Sequence, residues 1–289
     1  MSFEYLDSYI ENIYYKYYEK GLSVPKISKL INVPAKALYK SFKKMNLKMR
    51  DDSEKSIKCS YDKSYFGDID TNDKAYWLGF IYADGYILSK RKHSNKKLGI
   101  SISEKDIHHL EKFRTAISGD MNISVYSATS GYKIGTKYAR IIVPGADFSE
   151  DLIRHGVLEH KSNILKRPCI KNIFCSHFIR GFFDGNGSIW KSGGKNNNHT
   201  PQYSVSFTST DDVLDYILDC LIDNHVIVRK YNLEKRKSEQ IVSSFRFGGN
   251  NNIKRFTEYI YSDSNDGNRL DRKYQKYLEF LSIINSRPY

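Results

Sequence analysis

The chain is poor in cysteine, and Cys59, Cys169, Cys175 and Cys220 lack the short paired spacing of a zinc finger or ribbon. They read as reduced, mostly buried thiols of an intracellular protein. No long apolar run is present, and the opening MSFEYLDSYI has neither a basic n-region nor an apolar h-region. Neither a secretory signal, a membrane span nor an Arg-rich transit peptide is expected. The sequence also lacks a GxxxxGK[ST] stretch and an HExxH, so P-loop ATPase and two-histidine metalloenzyme chemistries find no support. The stretch Lys191 to Thr200 holds two glycines but not a phosphate-binding spacing.

What is present is positive charge. Over 289 residues the formal net charge is +13, which points to a polyanionic partner without separating DNA, RNA and acidic membrane. Hydrophobic residues make up 40% and charged residues 27%, the balance of a soluble globular protein with room for one large or two to three small domains. Tyrosine is abundant; it can stack on bases or reach phosphates, and it is equally an ordinary strand residue.

Two stretches organise the chain. Trp77 to Gly85 reads WLGFIYADG, and Ile179 to Gly187 reads IRGFFDGNG. Each runs through an apolar helical core into an acidic or amide residue beside glycine. The third-place glycines, Gly79 and Gly181, are costly inside helices, so their matched recurrence implies two backbones in close approach. The plainest geometry is two helices side by side, each delivering its last residues to one shared place. Two unrelated core helices ending in glycine caps is the competing account.

This pair resembles the motif of the LAGLIDADG homing endonucleases, over most of residues 73–280. The resemblance implies an α+β fold: two pseudo-symmetric α-β-β-α-β-β-α subdomains forming a DNA-binding saddle. The eighth motif place, which holds the family's metal-binding acid, falls here on Asp84 and Asn186. Asn186 departs from the pattern. Asp184 lies two residues earlier, and a helix turns about 200° over two residues, so it does not simply replace Asn186. The metal set implied by the resemblance is Asp84, Asn186, Gly85 and Gly187, holding Mg²⁺, with Mn²⁺ or Ca²⁺ as substitutes. The family's lysine near the cleavage centre is matched best by Lys161 in KSNILK and by Lys273 in RLDRKYQKYLEF; each would neutralise phosphate charge or orient water.

The elements follow in order. Residues 1–50 form a helix-turn-helix domain. Ser23 caps a helix with Pro25 in its first turn, Ile27 and Leu30 give its buried stripe, Asn32 and Val33 turn, and Pro34 opens a second helix with Leu38 and Phe42 inward. The exposed side of that second helix carries Lys36, Lys40, Lys43 and Lys44, suited to phosphate more than to base edges. Residues 51–72 read as a basic linker or arm, with Arg50 just before it. The first subdomain spans 73–170, its hairpin loop carrying Lys90, Arg91, Lys92 and Lys96. The second spans 171–289, with Lys191 and Lys195 in its hairpin, a helix over 211–224, and a strand over 226–231 that includes Arg229 and Lys230. These cations are the expected DNA contacts.

The leading functional reading is a monomeric, divalent-metal-dependent DNA endonuclease of homing type, cutting both strands of a long duplex target and impaired by Asn186. It would work without a protein partner or membrane, in a bacterial or phage-infected cytoplasm or an organellar matrix. The alternatives are a DNA-binding protein of the same fold that nicks or no longer cuts, and an RNA maturase. The helix-turn-helix weighs against the last, since it suits B-form DNA better than A-form RNA.

Overall fold

The computed structural model describes residues 9–18, 22–47, 49, 59–89, 96–129, 134–158, 164–192, 202–235 and 242–285. The chain divides into two compact units, Met1–Lys58 and Cys59–Tyr289.

In the first unit a helical stretch over 9–13 continues into a wider turn at Tyr14–Tyr18. Helices α1 (Val24–Ile31) and α2 (Ala35–Lys44) follow. Ser23 holds the N-cap position of α1, yet its side chain makes no capping bond. Proline at the second helical position removes one of the two N–H groups that such a cap would meet. Asn32 adopts a left-handed conformation (φ 54°) and turns the chain into α2. The core joins Val24, Ile27, Leu38 and Phe42 to Tyr14 and Tyr18, with Phe42 edge-on to both tyrosines. Leu30, expected inside, is 63% exposed. Ile31 packs against the core in its place, because a residue four on from Ile27 lies nearer its face than one three on.

The second unit repeats one element order twice. The first copy is α3 (Asn72–Asp84), β1 (Gly85–Leu88), β2 (Lys97–Ser103), α4 (Ile107–Ala116), β3 (Ile123–Ser127), β4 (Lys137–Pro144) and α5 (Ala146–Arg154). The second is α6 (Cys175–Asn186), β5 (Ser188–Ser192), β6 (Gln202–Ser209), α7 (Asp211–Asp223), β7 (Glu234–Lys235), β8 (Ser243–Gly248) and α8 (Asn250–Tyr261), followed by α9 (Asp271–Asn285). The sheets run β1-β2-β4-β3 and β5-β6-β8-β7, antiparallel throughout. Strand alternation decides what each sheet buries. Ala139, Ile141 and Val143 of β4 face the core, as do Val205 and Phe207 of β6.

Two stretches differ from the sequence reading. Residues 59–71, read as part of a linker, pack on the first subdomain: Tyr61, Tyr65, Phe66 and Ile69 are buried, Asp62 N–H donates to Ile117 O at 2.8 Å, and Phe66 lies edge-on to Phe148. The strand expected over 226–231 is not one. The N–H groups of Val226 and Ile227 both turn back to the Leu221 carbonyl, at 2.8 and 3.2 Å, and close the end of α7. Among the described residues after α7, Glu234–Lys235 make the pairing with the outer edge of β8.

Helices α3 and α6 lie against each other at the centre of this unit. From Ala75 to Tyr82 every α3 residue is buried, as expected for a helix covered on all sides. The contact is between backbones. A Cβ on Gly79 would overlap the Phe178 carbonyl and stand 2.9 Å from Phe182 N; one on Gly181 would overlap the Tyr76 carbonyl and stand 2.8 Å from Phe80 N. No rotamer change relieves a clash with backbone, so Gly181→Ala is expected to cost at least about 3 kcal/mol of unfolding free energy. Urea unfolding measures this; a loss under about 1 kcal/mol would contradict the close approach.

Candidate active site at the end of the motif helices

The two helices end together. Asp84 is the last residue of α3 and Asn186 the last of α6, and each runs straight into the first strand of its sheet. A Cβ built on Gly185 would overlap Ala83 Cβ and stand 3.2 Å from Asp84 Oδ2. The Asp84 carboxylate therefore lies against the backbone of α6, beside the residue that precedes Asn186. The Asn186 side chain is exposed, and its Nδ2 donates to the Thr208 carbonyl at 2.7 Å. That bond uses the donor end of the amide and leaves Oδ1 as its acceptor end. An aspartate in the same rotamer would set an anionic oxygen against a carbonyl.

Lys273 reaches the same place from α9. It is 5% exposed, and its Nζ donates to the carbonyls of Phe183 and Gly187, the latter at 2.6 Å. It closes the last turn of α6, as cations near helix C-termini do. Burial pulls its pKa down to about 8, against the opposing pull of the Asp184 and Asp84 carboxylates. The Gly187 carbonyl is thus engaged by the ammonium, while Gly85 is buried with its N–H on the Ile81 carbonyl.

Asp184 points the other way. It is 1% exposed and accepts three bonds: Tyr76 Oη at 2.9 Å, Tyr261 Oη at 2.8 Å and the Leu270 N–H at 2.8 Å. Burial raises its pKa, while Lys273 and the three donors pull it back. Helix α6 runs unbroken through Asn186, so no bulge turns Asp184 toward the Asp84 end. Tyr76 gives its single proton to Asp184, so His109 Nε2, 3.0 Å away, must donate to the tyrosine oxygen. His109 is then the Nε2–H tautomer, and its buried Nδ1 has no partner. Burial holds the ring neutral, with its pKa lowered to about 3.

Arg180 is fully buried one turn back. Its Nε donates to the Asn268 carbonyl at 2.9 Å and its Nη1 to the Ile260 carbonyl at 2.7 Å. Nη2 meets His177 Nδ1 at 3.0 Å, and His177 Nε2 faces Asp263 at 3.2 Å. The residue-level signal for this network is the arginine inside the apolar run FIRGFF. A charge there requires a buried partner.

The expected DNA contacts fall in several places. Lys36, Lys40, Lys43 and Lys44 are exposed on α2. Lys96 is half-buried. Lys191 shares the Ile189 side of β5, opposite Trp190. Arg229 covers the ring of Tyr231. Lys230 turns to α7, pairing with Asp215 at 2.8 Å and Asp219 at 3.3 Å. Arg50, Lys90, Arg91, Lys92, Lys161 and Lys195 lie outside the described residues. The sheet faces turned from the core carry residues that the loop-centred reading missed. On the first, Tyr126 stacks on Tyr138 at 5.8 Å, Arg140 covers Tyr126 at 4.9 Å, and Ser101 Oγ lies 3.1 Å from Tyr126 Oη. On the second, Trp190, Ser206 and Arg246 share one side. Alternation along KYARII held that information.

Among the described residues, no group of three or more His, Cys, Asp and Glu is placed to hold a metal ion, and no helix is long and apolar enough to cross a membrane. No family model matches the sequence, and no curated protein does either. Solved structures of similar chains exist. Meganuclease I-SmaMI bound to uncleavable DNA is 14% identical, covering 72% of this chain and 89% of its own, with a TM-score of 0.49. The LAGLIDADG meganuclease I-AabMI bound to uncleaved DNA is 14% identical, covering 73% and 89%, with a TM-score of 0.46.

The Lys273 environment makes a pH prediction. Its folded pKa, about 8, lies below its ordinary value of 10.5. Between those values the unfolded chain binds more protons, so this group's contribution to stability rises with pH across that window and is flat below it. Urea unfolding of the native chain and of Lys273→Met, differenced at each pH from 7 to 10.5, should show that rise. A flat difference would mean that the ammonium is not held in a desolvated place.

Proposed function

We propose that this chain is a site-specific DNA endonuclease of the LAGLIDADG type, working as a monomer. The observation that carries this reading is the paired glycine contact, which brings the two motif helices together and leaves Asp84 beside Gly185, the residue before Asn186. The internal repeat gives one chain two halves, matching the two antiparallel strands of a duplex without a second copy. The formal charge of +13 supports a polyanionic partner, and the Tyr/Trp/Ser/Arg sheet faces offer stacking surfaces, phosphate donors and base-edge donors.

The donor set at the helix ends suits a hard cation such as Mg²⁺. Mg²⁺ is commonly held by one or two carboxylates together with substrate phosphates, so Asp84 and the Asn186 amide oxygen need no third protein ligand. Such a cation, when bound, activates water and neutralises charge on the phosphate. Asp84 supplies the anionic oxygen; Asn186 supplies a neutral one, which weakens the site. Lys273 fixes the carbonyls on either side of Asn186 and so holds the turn that presents it. The helix-turn-helix unit adds affinity and site length, with the α2 lysines on phosphates.

The Asn186 to Thr208 bond favours a second form of the same reading, a chain that binds its target but cuts it poorly or nicks it. One cleavage series on one duplex with Mg²⁺ decides between them. Asp84→Asn is expected to abolish residual cleavage, and Asn186→Asp to raise double-strand cleavage at least tenfold with binding little changed; the new carboxylate must leave the Thr208 carbonyl to act. The log of affinity should fall steeply with log salt in every variant. If Asp84→Asn cuts as the native chain does, the endonuclease assignment fails at this site.

A further inference from the structure

Away from the motif ends, the N-terminus of α6 carries an arrangement that the endonuclease reading does not use. Cys175, the first residue of α6, and Cys220, in α7, have their sulfurs 3.1 Å apart. Both are buried, at 2% and 7% exposure. Tyr216 Oη lies 3.0 Å from the Cys175 sulfur. A disulfide bond is about 2.05 Å long, so roughly 1 Å of approach separates two thiols from a bond. The pair borders a cavity through Cys220. A cavity of about 530 Å³ is lined by Cys220, Tyr216, Asp219 and Asp223, with Arg167 and the exposed Cys169 also in its wall. Its volume admits a molecule the size of hydrogen peroxide beside Cys220, with Cys175 directly behind it.

We propose that Cys175 and Cys220 form a peroxide-reactive dithiol, closed to an intramolecular disulfide by hydroperoxides and reopened by thiol reductants. The Cys175 thiolate attacks one peroxide oxygen. The O–O bond breaks, and the departing oxygen takes up a proton as water, leaving a sulfenic acid. The Cys220 thiol then attacks that sulfur, the S–O bond breaks, and a second water leaves with the thiol proton. Overall two thiols lose two electrons and two protons, and one hydrogen peroxide becomes two waters. The Cys220 S–H turns to the Cys175 sulfur, and that bond holds the Cys175 thiol below the ordinary cysteine range against the opposing effect of burial. A position at a helix N-terminus favours the thiolate further.

The bond would staple the start of the second motif helix to α7, closing a loop between two elements already packed together. It rests on sulfur geometry and not on the DNA reading. The test treats the full chain with hydrogen peroxide, digests it without reduction and identifies linked peptides by mass spectrometry. The expected result is a Cys175–Cys220 link with two of the four thiols lost. The melting temperature should rise by roughly 5 °C, reversibly with dithiothreitol. Cys169→Ser should leave the link intact. A link between any other pair, loss of the link in Cys169→Ser, or no link at a peroxide level that fully oxidises Cys169 would overturn the proposal.

Discussion

Everything in the larger unit depends on two helices touching through their backbones. At Gly79 and Gly181 there is no room for even a methyl group, because each Cβ would overlap a carbonyl of the opposite helix. This closeness sets the register of one motif on the other. It also fixes where the helices end, and hence where Asp84 and Asn186 stand. The sheets begin immediately after those ends, at Gly85 and Ser188, so their placement follows from the same contact. Glycine is a poor helix residue, and its cost is offset here by the tight packing that only glycine permits.

The repeat is exact in order but not in chemistry. In the first motif the second and sixth places are Leu78 and Tyr82; in the second they are Arg180 and Asp184. Those two charges organise a buried polar network that reaches Tyr76 and His109 of the first half. Arg180 gathers the carbonyls of Ile260 and Asn268, and Asp184 gathers Tyr76, Tyr261 and the Leu270 N–H. Together they tie the chain entering α9 to the motif helices, and α9 delivers Lys273 to the end of α6. A buried charge with several partners is a poor source of stability but a strong specifier of geometry when every partner is present. The asymmetry at Asn186 thus sits on a motif helix that also differs from its counterpart at its second and sixth places.

Much of this was legible in the residues. The matched glycines announced the helix pair, and the motif resemblance carried the twice-repeated α-β-β-α-β-β-α order. Other features were hidden for physical reasons. The stretch 226–231 has strand-like residues, yet its N–H groups are claimed by the end of α7, a tertiary choice that local preference does not register. Residues 59–71 lack periodicity because Tyr61, Tyr65 and Phe66 plug gaps in an irregular path, not one face of a regular element. Leu30 was assigned inside because spacings of three and four look alike in a short helix. At the site, Asp84 and Asn186 could be placed by motif. The engagement of Asn186 with Thr208, and of Lys273 with two carbonyls, depends on residues distant in sequence and so left no local pattern.

In the proposed endonuclease, Asp84 and Asn186 present their oxygens to one shared place between two halves that receive a duplex. A crystal structure of the full chain with its preferred duplex and Ca²⁺ tests this most directly. The expected result is a cation bound to an Asp84 carboxylate oxygen and a DNA phosphate, with the Asn186 amide beside it and Asp184 still buried among Tyr76, Tyr261 and Leu270. A duplex lying elsewhere on the molecule, or a cation held by Asp184 in place of Asp84, would contradict it.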